Sequence, residues 1–189
     1  SECCSGIDDV SEDLIYEAID KNIYDGIKKE DLASSILISV RPLIEKDPNY
    51  SYVVARLLLT NIYEEALTFV GHKDSQPTIK SMKKNYIDYF KSYICEASEL
   101  KLLDKELLNY DLDLLGNSIV SSRDLSFTYL GLQTLYDRYF IHHKEKRFEL
   151  PQAFFMRVAM GLAINETDRE AKAIEFYNLI SSFDFMMNK

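Results

Sequence analysis

The chain has 189 residues, enough for one ordinary domain or for a small domain leading into part of a second, and 47% of them are hydrophobic, ample material for a core. Six glycines and four prolines make ten turn-formers, about 5% where about 12% is ordinary. No two glycines stand close enough to cradle a phosphate, which excludes dinucleotide-binding and Walker-type loops. With 22 basic against 31 acidic residues the formal charge is −9, the wrong sign for covering phosphates over a broad surface, so no nucleic-acid partner is expected.

Cys3 and Cys4 are adjacent and Cys95 is remote. They make no disulfide framework, and a reducing cytoplasm is the expected compartment. The longest apolar runs, such as Val53 to Thr60 with Arg56 inside, fall far short of the roughly 20 residues of a membrane span. The N-terminal Ser1-Glu2-Cys3-Cys4-Ser5-Gly6 lacks the basic and apolar regions of a signal peptide. A start without Met suggests a fragment or a processed chain.

Apolar residues recur at helical spacing almost throughout, and sustained period-2 alternation is absent, so the fold class is all-α. Leu14, Ile15, Ala18 and Ile19 predict a short helix capped by Ser11 and ended by Tyr24-Asp25-Gly26. A second helix begins near Lys29 with Leu32, Ile36, Val40 and Leu43/Ile44 on its stripe, shortened at Pro42. After the turn Asp47-Pro48-Asn49, a long helix from Tyr50 to Val70 is apolar over more than one face and should be the central buried helix. The polar segment Gly71 to Pro77 marks the expected boundary, dividing the chain into 1–73 and 74–189. The 78–185 part should pack as one bundle, with 8–70 as a smaller helical group against it.

Beyond the boundary, Ile79, Met82, Tyr86, Tyr89/Phe90 and Tyr93 predict a helix over Thr78 to Ala97, and Leu102, Leu103, Leu107 and Leu108 another over Leu100 to Leu108. Gly116 through Asp124 reads as a break. Tyr129, Leu132, Leu135, Tyr136, Tyr139 and Phe140 mark a helix ended by the basic stretch His142 to Arg147. Pro151 suits the first turn of a helix running to Ile164, and Thr167 can cap the last one, with Ala171, Ile174 and Tyr177/Asn178 on one side.

Residue types that carry chemistry are present but not in working patterns. His142-His143 are neighbours that point apart on a helix and have no Cys or carboxylate at ligand spacing, so no metal site is expected. Nothing places His72 beside Cys95, which reads as a small buried thiol. The acidic pairs Glu12-Asp13, Glu64-Glu65 and Asp111/Asp113 read as solvated helix faces, and Tyr86, Tyr89, Tyr93, Tyr129, Tyr136 and Tyr139 as core residues with bonded hydroxyls. No catalytic residue is expected.

The segment Leu150-Pro151-Gln152-Ala153-Phe154-Phe155-Met156-Arg157-Val158-Ala159-Met160-Gly161-Leu162-Ala163 closely resembles a stretch of the large, catalytic subunit of class I ribonucleoside-diphosphate reductases. The resemblance extends back through Arg123-Asp124-Leu125-Ser126-Phe127-Thr128-Tyr129 and Leu132-Gln133-Thr134-Leu135-Tyr136-Asp137-Arg138-Tyr139, and on through Phe176 to Met186. It implies the family's all-alpha N-terminal domain over 74–189, ending just before a catalytic barrel. It also implies a whole enzyme that makes deoxyribonucleoside diphosphates for DNA synthesis by thiyl-radical chemistry. Nucleotide effectors (ATP/dATP and dNTPs), a metal-containing radical small (beta) subunit and a homo-oligomeric full-length state are implied with it. Cys3, Cys4 and Cys95 match none of the family's redox or thiyl motifs.

Upstream, Tyr24-Asp25-Gly26-Ile27-Lys28 and Tyr52-Val53-Val54-Ala55-Arg56-Leu57 resemble the second half of an ATP-cone, a small regulatory module. Cones that bind ATP open with a hairpin bearing a Lys-Arg-type motif, which is missing before Ser11. Nucleotide-binding members tend to carry a hydroxyl where Lys29 stands, His where Ala33 and Asn61 stand, and a base where Glu64 stands. Only Lys28 and Lys29 remain as nearby cations, so a degenerate cone without nucleotide binding is expected. From a different class, the alternative is a free-standing helical protein-interaction domain.

Overall fold

The computed structural model describes residues 2–72 and 77–183, with the backbone alone for Lys29 and Glu30. The described chain is all-α apart from one two-stranded pair. The helices are α1 (Glu12–Asp20), α2 (Lys29–Val40), α3 (Tyr50–Phe69), α4 (Met82–Glu99), α5 (Leu112–Asn117), α6 (Tyr129–Arg138), α7 (Pro151–Ala163) and α8 (Arg169–Ser181). Short 3-10 turns cover Glu2–Cys4, Arg41–Glu45, Lys105–Asn109 and Ser121–Ser126.

Local chemistry accounts for most boundaries. The Ser11 hydroxyl accepts from the Leu14 amide at 3.4 Å at the start of α1, and Gly26 takes the left-handed conformation (φ 94°) in the turn that leads to α2. Pro42 has no N–H to donate, and α2 ends at Val40 and tightens into the 3-10 turn. Asp47 accepts from the Asn49 amide at 2.7 Å and turns the chain into α3.

Several predicted elements differ. Thr78 and Ser81 bond each other reciprocally (Thr78 N to Ser81 Oγ 3.0 Å, Ser81 N to Thr78 Oγ1 3.1 Å), so α4 starts four residues later than its apolar pattern. Leu100 to Leu108 is no α-helix: Lys101 has φ 60° and the chain forms a 3-10 turn with Leu102 and Leu108 exposed. The expected break at Gly116 contains the end of α5, capped by Asp111, which accepts from Leu114 N at 2.9 Å. A Cβ on Gly116 would stand 3.4 Å from the Ile87 carbonyl and 3.7 Å from Phe90 Cβ, so α5 lies closely on α4 at this residue. His142–His143 and Lys146–Arg147 pair antiparallel. The last helix is capped by Asp168 (3.4 Å to Ala171 N), not Thr167, and buries Ala173, Tyr177 and Ser181 while Ala171 and Asn178 stay exposed.

The core divides within α3. Its first turns, with Tyr50, Val53 and Val54, pack with Cys4, Ile15, Val40 and Leu43. From Ala55 onward its buried apolar residues join the large cluster built from α4, α6, α7 and α8, while half-buried Leu57 stays with the smaller one. A helix apolar all round can serve two neighbours, and α3 is shared by the two clusters, ahead of the polar 71–77 segment, of which 73–76 lie outside the described residues. Ser51 Oγ accepts from Tyr129 N at 3.0 Å, and Leu37 and Tyr129 touch both clusters.

Candidate functional site

Two features stand out: a cleft between α2 and α3, and a set of buried carboxylates that ties α3 and α4 to the C-terminal half.

The cleft encloses about 440 Å³. Ala33 on α2 and Asn61 and Glu64 on α3 line it together, so three of the four positions singled out in the cone-like sequence meet at one place. The side chain of the fourth, Lys29, lies outside the described residues. Leu32, Ile36 and Leu57 give the cleft an apolar wall, while Glu64 and Glu2 bring carboxylates and no described lining residue is basic. Lys28 is exposed at the N-cap of α2 and is not among the residues of the wall. A polyphosphate calls for cations and N–H donors, and the described wall offers two carboxylates in their place.

Asp124 is fully buried and accepts from the Tyr86 hydroxyl at 2.6 Å, the Tyr63 hydroxyl at 2.7 Å and Gln152 Nε2 at 2.9 Å. Gln152 Oε1 in turn accepts from the Tyr177 hydroxyl at 2.8 Å, which itself accepts from Val120 N at 2.9 Å. Burial pushes the Asp124 carboxyl up to about 6, with the three donors holding it from rising further. The same burial, reinforced by Asp124, keeps both tyrosine hydroxyls far from ionising.

Glu149 is 0% exposed and accepts from Tyr93 (2.5 Å), Arg157 Nε (2.6 Å), Arg157 Nη2 (3.2 Å) and Ile141 N (2.8 Å). Burial works against the Arg157 charge, but Glu149 outweighs it and holds the guanidinium protonated. The Tyr89 hydroxyl donates to the Phe148 carbonyl and accepts from Leu150 N at 3.1 Å. Every oxygen is spoken for by a donor, which is how buried charge is tolerated in a structural role.

The acidic pairs of the sequence separate in space. Glu64 faces the cleft, whereas Glu65 accepts from the Tyr136 hydroxyl (2.8 Å) and Arg147 N (2.9 Å) and fastens α3 to α6 and the strand pair. Asp113 is exposed and pairs with Lys91 at 2.9 Å. Among the described residues no three His, Cys, Asp or Glu are grouped to hold a metal. Cys95 is half-buried, not buried as its stripe suggested, because α4 turns its fully buried face along Tyr86, Tyr89, Phe90, Tyr93, Ile94 and Ala97. Tyr139 is exposed and Tyr129 and Tyr136 half-buried, since α6 buries only Leu132 completely. Sequence reasoning did not single out Asp124 or Glu149. A signal existed for Glu149, a lone charge between Phe148 and Leu150-Pro151 in an apolar stretch.

Residues 125–189 match the family model described as ribonucleotide reductase, all-alpha domain. The matched segment belongs to that family. The chain is 44% identical over 173 residues to the ribonucleoside-diphosphate reductase subunit alpha of Chlamydia muridarum, covering 91% of this chain and 16% of the relative. The corresponding subunit of Helicobacter pylori is 33% identical over 86% of this chain and 19% of its own length. The large subunit of Variola virus is 27% identical over 85% and 20%. The chain thus spans between a sixth and a fifth of the length of these relatives. Within the ribonucleotide reductase all-alpha segment lie Glu149, Gln152, Arg157 and Tyr177; Glu149 accepts from Tyr93 and the Gln152 amide donates to the Tyr86 hydroxyl, both on α4, while Asp124, one residue before the segment, receives Tyr63 of α3 and Tyr86. No helix among the described residues is long and apolar enough to cross a membrane.

Proposed function

We propose that this chain is the N-terminal helical part of a ribonucleotide reductase large subunit, with residues 1–73 a degenerate cone-like region and 74–189 the all-alpha domain. That division is one of descent: in packing, α3 is shared by both parts. The whole subunit reduces ribonucleoside diphosphates in the cytoplasm, in an allosterically regulated homo-oligomer that takes its radical from a metal-containing small subunit and responds to nucleotide effectors. This chain contributes no catalytic residue to that reaction. Its part is to hold the preceding regulatory region against the catalytic barrel, the α3–α6 packing and the shared bonds of Tyr63 on α3 and Tyr86 on α4 to Asp124 giving it the stiffness to pass on a mechanical response.

The observation that carries this reading is the match to reductase large subunits across 91% of the chain at 44% identity. The test is a chimera in which this chain replaces the matching region of the Chlamydia muridarum subunit, assayed for ribonucleoside diphosphate reduction with that organism's small subunit. Retained turnover, within about tenfold of the parent and so within about 1.4 kcal/mol in barrier, supports the reading. A folded chimera with no turnover contradicts it.

A further inference from the structure

Arg56 interrupts the apolar run of α3 and is 9% exposed. A buried cation ordinarily has a carboxylate partner, yet no ion pair to Arg56 exists among the described residues. Its Nη1 donates to the Cys3 carbonyl (3.1 Å) and the Ser5 carbonyl (2.7 Å), and its buried Nε has no hydrogen-bond partner. A guanidinium has five N–H donors in a planar fork, so most of its capacity is unused. Burial disfavours the charge and draws the guanidinium below its usual range, the only opposing influences being Cys3 and Cys4.

Arg56 also lines a cavity of about 300 Å³, separate from the α2–α3 cleft, with Tyr52 of the same helix, Asn49, Asp8, Gly6 and Leu125 around it. Asn49 Nδ2 already donates to the Asp8 carbonyl at 3.1 Å, while the Tyr52 hydroxyl makes no hydrogen bond among the described residues. We propose that this cavity is a binding site for a small carboxylate, with the Arg56 guanidinium supplying the charge and the Tyr52 hydroxyl a further donor. The planar fork fits a carboxylate edge-on. The Asp8 side chain at the rim selects a singly charged carboxylate over a doubly charged phosphate, because a second negative charge would meet it at short range. The carboxylate can come from a free organic acid or from an acidic side chain of a partner protein; the recognising chemistry is the same.

The test follows the Arg56 Nε–H resonance of the purified chain, assigned by its loss in Arg56→Lys, during titration with sodium acetate, with sodium chloride at equal ionic strength as the control. The expected result is a saturable shift with acetate at a midpoint below about 50 mM, none with chloride, and a weaker response to inorganic phosphate. Asp8 has an exposed side chain, so Asp8→Asn leaves the fold intact and should tighten acetate about threefold to fivefold. N-acetylaspartate amide binding more tightly than acetate identifies a protein carboxylate, and equal or weaker binding a free acid. An acetate response that is absent, non-saturable or matched by chloride overturns the proposal and leaves Arg56 as a clamp on the Cys3 and Ser5 carbonyls.

Discussion

The Tyr86 hydroxyl donates to Asp124 Oδ2 at 2.6 Å across 38 residues of sequence, inside a core where neither residue meets solvent. Burial raises the Asp124 carboxyl from 3.8 to about 6, so the folded chain holds this proton more tightly than the unfolded chain. The contribution of Asp124 to stability is therefore full below about pH 4 and is lost as pH rises through about 6, a change of roughly 3 kcal/mol. Urea unfolding of wild type and Asp124→Asn should show it: the wild-type advantage falls by about that amount between pH 4 and pH 7. A difference that stays constant across this range would contradict the assignment.

Glu149 and Arg157 form the other buried charge contact, at 2.6 Å with the carboxylate wholly enclosed. Glu149→Gln leaves the guanidinium without its counter-charge and should cost about 3 to 5 kcal/mol. Replacing both with Leu and Met should recover part of that loss, because the uncompensated charge goes with the pair. Chemical denaturation checks both variants; a Glu149→Gln midpoint equal to wild type would show that the pair is not formed.

The three thiols should differ in reactivity. Cys4 is buried, while Cys3 and Cys95 are half-buried. Burial, with Cys4 beside it, pushes the Cys3 thiol up and lowers its thiolate fraction at neutral pH. Labelling of the native chain with a thiol reagent, read by mass spectrometry, should therefore modify Cys95 first and Cys4 last. Modification of Cys4 at the rate of the urea-unfolded chain is the opposite outcome.

How much of this was legible in the sequence depends on the range of the forces involved. The helical period located α1 to α4 and α6 to α8, because burial of a stripe is a local property of the chain. It overshot at Leu100–Leu108, where leucines recur without a helix since the chain must turn at Lys101. The strand pair 142–143 and 146–147 is fastened to the bundle at Arg147, whose amide donates to Glu65, 82 residues away and invisible to periodicity. In the cleft, family resemblance chose Ala33, Asn61 and Glu64, and the fold brings them together. Asp124 and Glu149 were missed because a buried carboxylate is identified by its donors, and those lie 28 to 61 residues away for the side chains around Asp124.

On the function proposed above, the cone-like region has lost its nucleotide site. A triphosphate entering the α2–α3 cleft would meet Glu64 and Glu2 and no described cation, and each missing charge-assisted bond removes about 1.5 to 3 kcal/mol. Isothermal titration of the chain with ATP and with dATP at physiological salt is the most direct test. The expected dissociation constant is weaker than about 1 mM for both, about −4.1 kcal/mol or less in magnitude. A constant below about 100 μM, roughly −5.5 kcal/mol, for either nucleotide would show a working site and contradict the account.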